Sequence, residues 1–205
     1  MQYDKTKIFN LSLIALLLSK RVTNADTDKS TEADALRTLW DTAVESFLEE
    51  CDLNETSTRV KLVLVAENPD DRWLYAYAYP SDCAFFRRID SGRFRDTRNT
   101  QILKGTGVYN GKKVIFTNKQ DAYAEIITLD FLVGLSANSA QALGYKLAWF
   151  SAPLIVSSTD PTALSKTLET RYNLFKSLAE QKDARENNNP QLLEEESDIA
   201  DARLS

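Results

Sequence analysis

Asp70 and Asp71 set two carboxylates side by side, a donor pair for a hard cation. They follow Asn68 and Pro69 between two strand patterns, however, and Asn-Pro-Asp-Asp in that position makes a tight turn. Gly105-Thr106-Gly107 has the small residues that let a backbone approach a phosphate, but it lacks the spacing of a dinucleotide loop and precedes a hairpin instead of a helix, so it reads as a turn. Glu194, Glu195 and Glu196 form a charge run with no histidine or cysteine beside them. The chain has no histidine and two cysteines, Cys51 and Cys83. That removes the commonest general base, the usual nucleophile triads and nearly all zinc and haem sites. It also leaves no disulfide framework, which fits a reducing compartment. No catalytic residue, metal ligand or cofactor is expected, and the chain reads as a non-enzyme.

The chemistry that remains is electrostatic. The 205 residues are 43% hydrophobic and 27% charged with a net charge of −5, a balance that suits a folded chain and gives no global sign of nucleic-acid wrapping or of attraction to an anionic membrane. The charges are unevenly placed. Ten acids and two bases lie between Asn24 and Glu55, nine bases and two acids between Ala84 and Lys119, and eight acids and three bases from Glu180 to Ser205. Blocks of opposite sign along one chain favour head-to-tail association of copies. The basic block holds Arg87, Arg88, Arg93, Arg95, Arg98, Lys104, Lys112, Lys113 and Lys119 near Phe85, Phe86 and Tyr109, the combination of cations and stacking rings used by nucleic-acid binders. Arg93, Arg95, Arg98, Lys112 and Lys113 are its candidate contact residues, for a phosphate backbone or for a partner's acidic patch.

These charges need elements to position them. Lys5 and Lys7 precede the apolar run Ile8 to Leu18, an order shared with secretory signals. The run is too short to span a bilayer and holds Asn10 and Ser12, so it reads as a buried helix from about Lys5 to Lys20, with a cleaved signal as the alternative. A second helix has apolar positions at Leu36, Leu39, Trp40, Ala43, Val44, Phe47, Leu48 and Cys51, and Asp34, Arg37, Asp41, Glu45 and Glu49 on its opposite face. Thr31 and Asp34 are expected to cap it as a variant capping box. From Thr58 the period changes to two through RVKLVLVAE, RWLYAYAY and AFFRRID, and QILK and KVIFTN follow as a hairpin turned at Asn110-Gly111. Strand signals stop after Tyr123. A helix over Ala137 to Ala152 ends or kinks at Pro153 and carries a stripe of small residues, Ala140, Gly144 and Ala148, that lets another helix approach closely. The last helix starts with Asp160 as N-cap and Pro161 at its first position, with Leu164, Leu168, Tyr172, Phe175 and Leu178 along one side.

The fold class expected is α+β: a mostly helical bundle of about four helices with an inserted small antiparallel β lobe and an extended C-terminal tail. The corresponding segments are 1–57 and 128–186 for the bundle, 58–127 for the lobe and 187–205 for the acidic tail. Trp73, Tyr75, Tyr77 and Tyr79 alternate along one strand before Pro80, and this aromatic face is expected in the core, joining lobe to bundle. In the tail, Leu192, Leu193, Ile199 and Leu204 are the only apolar anchors, too few to fold alone and suited to a partner surface.

The order of these features resembles the head-to-tail adaptor proteins of short-tailed double-stranded DNA bacteriophages, the tubular-tail or connector family. The resemblance runs from about Lys7 to Asn189 and is carried by LWDTAVESFLEECDLN, by RWLYAYAYPSDCAFFRRI, and within the latter by Trp73, Tyr79, Pro80, Asp82 and Cys83 with a shortened interval from tyrosine to proline. It implies a structural virion protein made in the host cytoplasm and placed in the tail at the portal vertex, without catalysis. It further implies about twelve copies in a homo-oligomeric ring, with the portal protein, the tail nozzle protein and tail fibres as partners and no membrane. The genome would pass through the ring without sequence-specific binding during packaging retention and ejection, and Asp34, Asp41, Glu45 and Glu49 are candidates for lining that channel. The alternative is a soluble nucleic-acid-binding module that uses the basic lobe.

Overall fold

Seven strands among the described residues, rather than a minor lobe, form the middle of the chain. The computed structural model describes residues 2–51, 53–90, 103–156 and 161–187. By its internal contacts the chain divides into two units, one of Thr56–Gly134 with 1–2, the other of Tyr3–Glu55 and Leu135–Ser205. Among the described residues four α-helices accompany two antiparallel sheets of three and four strands. The expectation of a mostly helical bundle with a small β lobe is therefore corrected to a mixed helix-and-sheet protein, about 23% of whose described residues are strand.

The strands are β1 (Ser57–Lys61), β2 (Leu64–Glu67), β3 (Tyr75–Ala78), β4 (Cys83–Asp90), β5 (Lys104–Tyr109), β6 (Lys112–Thr117) and β7 (Tyr123–Thr128). One sheet has the order β1-β7-β4, the other β2-β3-β6-β5. Two features hid this from the alternation pattern. The run RVKLVLVAE breaks at Leu62 and Val63 and supplies one strand to each sheet. The strand β7 lies between two neighbours and buries Ala124, Ile126 and Ile127, and the adjacent Ile126 and Ile127 interrupt the period of two after Glu125.

The aromatic row closes one sheet onto the other. Tyr77, Ile115 and Leu62 pack with Phe86, Ile89, Ala124 and Ile126, and Tyr75, Tyr79, Val60 and Cys83 flank them. Tyr75, Tyr77 and Tyr79 thus belong to a core within their own unit, between two sheets. Trp73 stacks instead on Phe116, with ring centroids 6.5 Å apart. Gly105 and Gly107 accommodate these two rings, because a Cβ would come within 3.1 Å of Trp73 and 3.0 Å of Phe116. The Gly-Thr-Gly segment is accordingly strand β5 and not a turn. The turn is at Asn110 and Gly111, with φ values of 49° and 75°, the type I′ geometry that an Asn-Gly pair favours.

In the other unit, α1 (Lys5–Ala15), α2 (Thr31–Glu50), α3 (Ala137–Ile155) and α4 (Pro161–Asn187) pack together. The buried face of α1 is Ile8, Phe9, Ser12 and Leu13. Its two polar interruptions have partners: Asn10 exchanges two 2.9 Å hydrogen bonds with the backbone of Val22, and Ser12 Oγ donates to the Gly144 carbonyl at 3.0 Å. Gly144 is where α1 crosses α3, and a Cβ there would sit 2.9 Å from that of Leu11. The expected end of α1 near Lys20 is corrected to Ala15. Leu17 adopts φ 59°, Leu18 N donates to Leu13 O and Leu17 N to Ile14 O, which closes the helix as a Schellman motif. The cap of α2 is Ser30, whose hydroxyl accepts from Ala33 N, in place of Thr31 with Asp34. Pro153 lies inside the last turn of α3, and Pro161 opens α4; Asp160 lies outside the described residues.

Candidate functional site

The acidic row of α2 follows from its amphipathic spacing. Ala33, Leu36, Ala43, Phe47 and Leu48 are buried, which turns Asp34, Asp41, Glu45 and Glu49 outward, all exposed. Only Asp34 of these four has an ion pair among the described residues, with Arg37 at 3.5 Å. Arg37 is itself held by the carbonyls of Ala25 and Asp28 at 2.8 Å. Asp41, Glu45 and Glu49, about one turn apart, therefore present a negative stripe on the exposed face, with Asp34, paired with Arg37, about two turns before it.

The basic block is more heavily engaged than its sequence suggests. Arg87 and Arg88 both bind Glu125 at 2.6 Å, from strands β4 and β7, and the Arg87 side chain is only 6% exposed. Lys119 donates to the Asp90 carbonyl, and Arg59 pairs with the Asp90 carboxylate. Lys104 lies 4.2 Å from the Phe86 ring centroid and donates to the Arg87 carbonyl. Lys112 and Lys113 remain exposed, with the Lys113 ammonium 3.8 Å from the Tyr79 ring centroid. Arg93, Arg95 and Arg98 lie outside the described residues, as do Leu192, Leu193, Ile199 and Leu204. Arg87 and Arg88 of the basic block therefore already share one partner, the half-buried Glu125 carboxylate, although the Arg88 side chain stays 64% exposed.

Sequence periodicity missed a third constellation, inside the helical unit. Lys146, on the buried face of α3 with a side chain 3% exposed, donates to Glu50 at 2.6 Å. Tyr172 of α4 donates to the other Glu50 oxygen at 2.6 Å, and Ser46 donates to the first at 3.0 Å. The Lys146 ammonium also lies 4.6 Å from the ring centroid of Tyr172 and 5.1 Å from those of Trp149 and Phe150. Burial on its own pushes the Glu50 carboxyl up, but the hydrogen bonds from Lys146, Tyr172 and Ser46 outweigh it and hold the group below its usual range. Cys51, buried beside Tyr172, is pushed up by burial to about 11, so its thiol is poorly reactive near neutral pH. A lysine at a helical core position carries no sequence flag; only the run Tyr-Lys-Leu-Ala-Trp-Phe, with rings on both sides of it, hinted at a caged cation.

Glu55 and Asp183 make a second set of ties in this unit. Glu55 accepts from Ser136 N at 3.0 Å and from the Ser139 hydroxyl, and it faces Lys182 at 3.7 Å. Asp183 accepts from Asn54 N and Nδ2 at 3.0 and 2.9 Å. On the sheet unit, Asp70 accepts from Arg72 N and Trp73 N at 2.8 Å and Asn68 has φ 46°, so the Asn-Pro-Asp-Asp segment is the tight turn its sequence implies. Among the described residues no helix is long and apolar enough to cross a membrane. Neither a protein-family model nor a curated protein matches the chain.

Proposed function

We propose that this chain is a structural ring subunit, a head-to-tail adaptor that joins a portal to a tail nozzle in a short-tailed bacteriophage virion and carries no reaction of its own. The observation that carries the reading is the exposed row Asp34, Asp41, Glu45 and Glu49 on a helix whose other face is buried. Set around a channel, such carboxylates repel phosphates and let a duplex slide without release of its counterions, the reverse of the basic surface that holds DNA. The pairing of Arg87 and Arg88 with Glu125 supports the same choice over a nucleic-acid-binding module. In this reading the tail from residue 188, with Leu192, Leu193, Ile199 and Leu204 on an acidic background, anchors each subunit to the portal or to a neighbour, and burial offsets the cost of ordering it.

Electron microscopy of the purified protein mixed with the portal ring of its source tests the reading. A second ring stacked at one end of the portal is the expected result, and truncation after Asn189 should weaken it. Bare portals beside free protein at micromolar concentration, with tight and steeply salt-dependent binding to DNA, would transfer the assignment to the nucleic-acid module.

A further inference from the structure

The two sheets finish their edges differently. The three-stranded sheet is defended in the usual ways. Its edge β1 carries Arg59 and Lys61, paired with Asp90 and Asp121, and its edge β4 breaks register twice. In the four-stranded sheet no further strand among the described residues pairs with the outer side of β2 or β5. Beside its edge β2, with one irregularity, stand three consecutive exposed apolar residues, Val63, Leu64 and Val65. Its edge β5 pairs with β6 without a break, and carries exposed Val108 two residues beyond Thr106.

The polarity of these two edges is complementary. With four strands, each antiparallel to its neighbour, β2 and β5 run in opposite directions. A copy added by simple repetition therefore brings its β5 antiparallel to β2 and continues the same ladder. Asn68 N donates inward to the Leu74 carbonyl, so the neighbouring Glu67 turns its peptide groups outward. In the two-residue hairpin Tyr109 and Lys112 exchange ladder bonds, which turns those of Lys104, Thr106 and Val108 outward. Setting Glu67 opposite Lys104 aligns Val65 with Thr106 up to the irregularity beside Leu64; beyond it the Val63 carbonyl accepts inward from Ala78 N, so Val63 contributes its exposed side chain and not a ladder bond. Lys104, moreover, has no carboxylate against it among the described residues; its contacts are the Phe86 ring and the Arg87 carbonyl.

We infer that β2 of one copy and β5 of another form a head-to-tail interface, a continuous antiparallel sheet in which Glu67 meets Lys104 and the apolar edge residues cover one another. The inference rests on the self-association contained in the proposed function, and not on its portal. Because the two patches differ, the contact does not terminate at a dimer, and it yields a ring or a filament according to the rotation between copies.

Sedimentation velocity on the full chain and on two edge variants tests it. Val63→Lys with Val65→Lys puts two charges on the exposed apolar edge that faces the neighbour's Thr106 and Val108, and Thr106→Pro removes an outward donor without breaking the β5–β6 ladder. The wild type is expected to associate beyond a dimer with rising concentration, and each variant to raise the midpoint of association by at least about a hundredfold. An equimolar mixture of the two variants should give a species of two chains and stop there, since one intact β2 and one intact β5 remain. That recovery also shows that both variants fold. A Thr106→Pro protein that dimerises alone would replace the inference with a twofold β2 contact. Variants that associate like the wild type, or a wild type that stays monomeric at every concentration, would overturn it. In either case, a ring still stacked on the portal would leave the adaptor role intact with a different interface, whereas its absence would remove both.

Discussion

The sheet unit and the helical unit solve the same problem, fixing amphipathic elements to one another, with opposite chemistry. The sheets meet through rings and aliphatic chains, Tyr75, Tyr77, Tyr79 and Phe86 with Ile89, Ile115 and Ile126, while the ion pairs of Arg87 and Arg88 with Glu125 tie β4 to β7 within one sheet and do not join the two. The helices bury an ion pair, Lys146 with Glu50, and tie their ends with Glu55 and Asp183. Apolar burial is non-directional and tolerates small shifts, whereas a caged ammonium fixes α2, α3 and α4 at one set of distances. The difference implies that the sheet unit fails by loss of packed volume and the helical unit by loss of a single partner.

Tyr77→Ala breaks the first half of that contrast and has the largest expected effect. Tyr77 is 2% exposed at the centre of the inter-sheet core, and its hydroxyl donates to the Lys119 carbonyl at 3.0 Å. Truncation should cost about 3–5 kcal/mol, read by denaturant unfolding, with faster amide exchange in β3, β6 and β7. Tyr77→Phe keeps the volume and should cost only about 1 kcal/mol. Equal losses for the two would mean that the hydroxyl, and not the ring, holds the sheets.

Glu50→Ala tests the second half. It leaves the Lys146 ammonium buried without its carboxylate, but Glu50 is itself 39% exposed, so the loss should be about 2 kcal/mol, below that of a fully buried pair. Replacing both partners, Glu50→Leu with Lys146→Met, should recover most of it, because packed apolar groups substitute for a buried ion pair. The pH dependence has a fixed sign. The folded carboxyl of Glu50 lies below its unfolded value of about 4.3. Its contribution is therefore complete above that value and is lost as pH falls through the lower folded value. Acid unfolding of Glu50→Gln should lack this portion of the slope; an unchanged acid limb would show that the pair is neutral to folding.

Gly144→Ala sharpens the comparison at the helix crossing, where distance is set by a missing side chain. With Leu11 Cβ 2.9 Å from the added carbon and Ser12 bonded to the Gly144 carbonyl, α1 must shift, at about 1–3 kcal/mol. An alanine that stabilised the protein through helix propensity would show that α1 moves freely over α3.

How much of this was legible depends on whether the determinant is periodic. A close helix approach on α3 was, since Ala140, Gly144 and Ala148 recur every four residues, although nothing in the pattern named α1 as the partner. The hairpin at Asn110-Gly111 was also, because its residue pair is selected for positive φ. The exposed row on α2 follows from the same helical spacing that buries Leu36 and Phe47. The two-sheet architecture was hidden because the adjacent Ile126 and Ile127 interrupt the alternation of the central β7, and because one apolar run serves two sheets. The Lys146 cage was hidden because its partners come from positions 50, 149 and 172, and no local pattern joins them. Arg87 and Arg88 looked available for phosphate because Glu125, their shared partner, is more than thirty residues further along the chain.

The end of α1 is the smallest case and the most instructive, because there the sequence signal was absent and the geometry was still built. Leu17 occupies the left-handed position that closes a Schellman motif, a conformation costing a branched residue about 1 kcal/mol where glycine fits without strain. Its side chain is 90% exposed, so little packing compensates. Leu17→Gly should therefore raise stability by about 0.5–1 kcal/mol, after glycine's larger chain entropy in the unfolded state is deducted, a gain visible as a thermal midpoint a few degrees higher. A loss instead would mean that Leu17 is covered in the working assembly, and that its exposure in the single chain marks a contact surface.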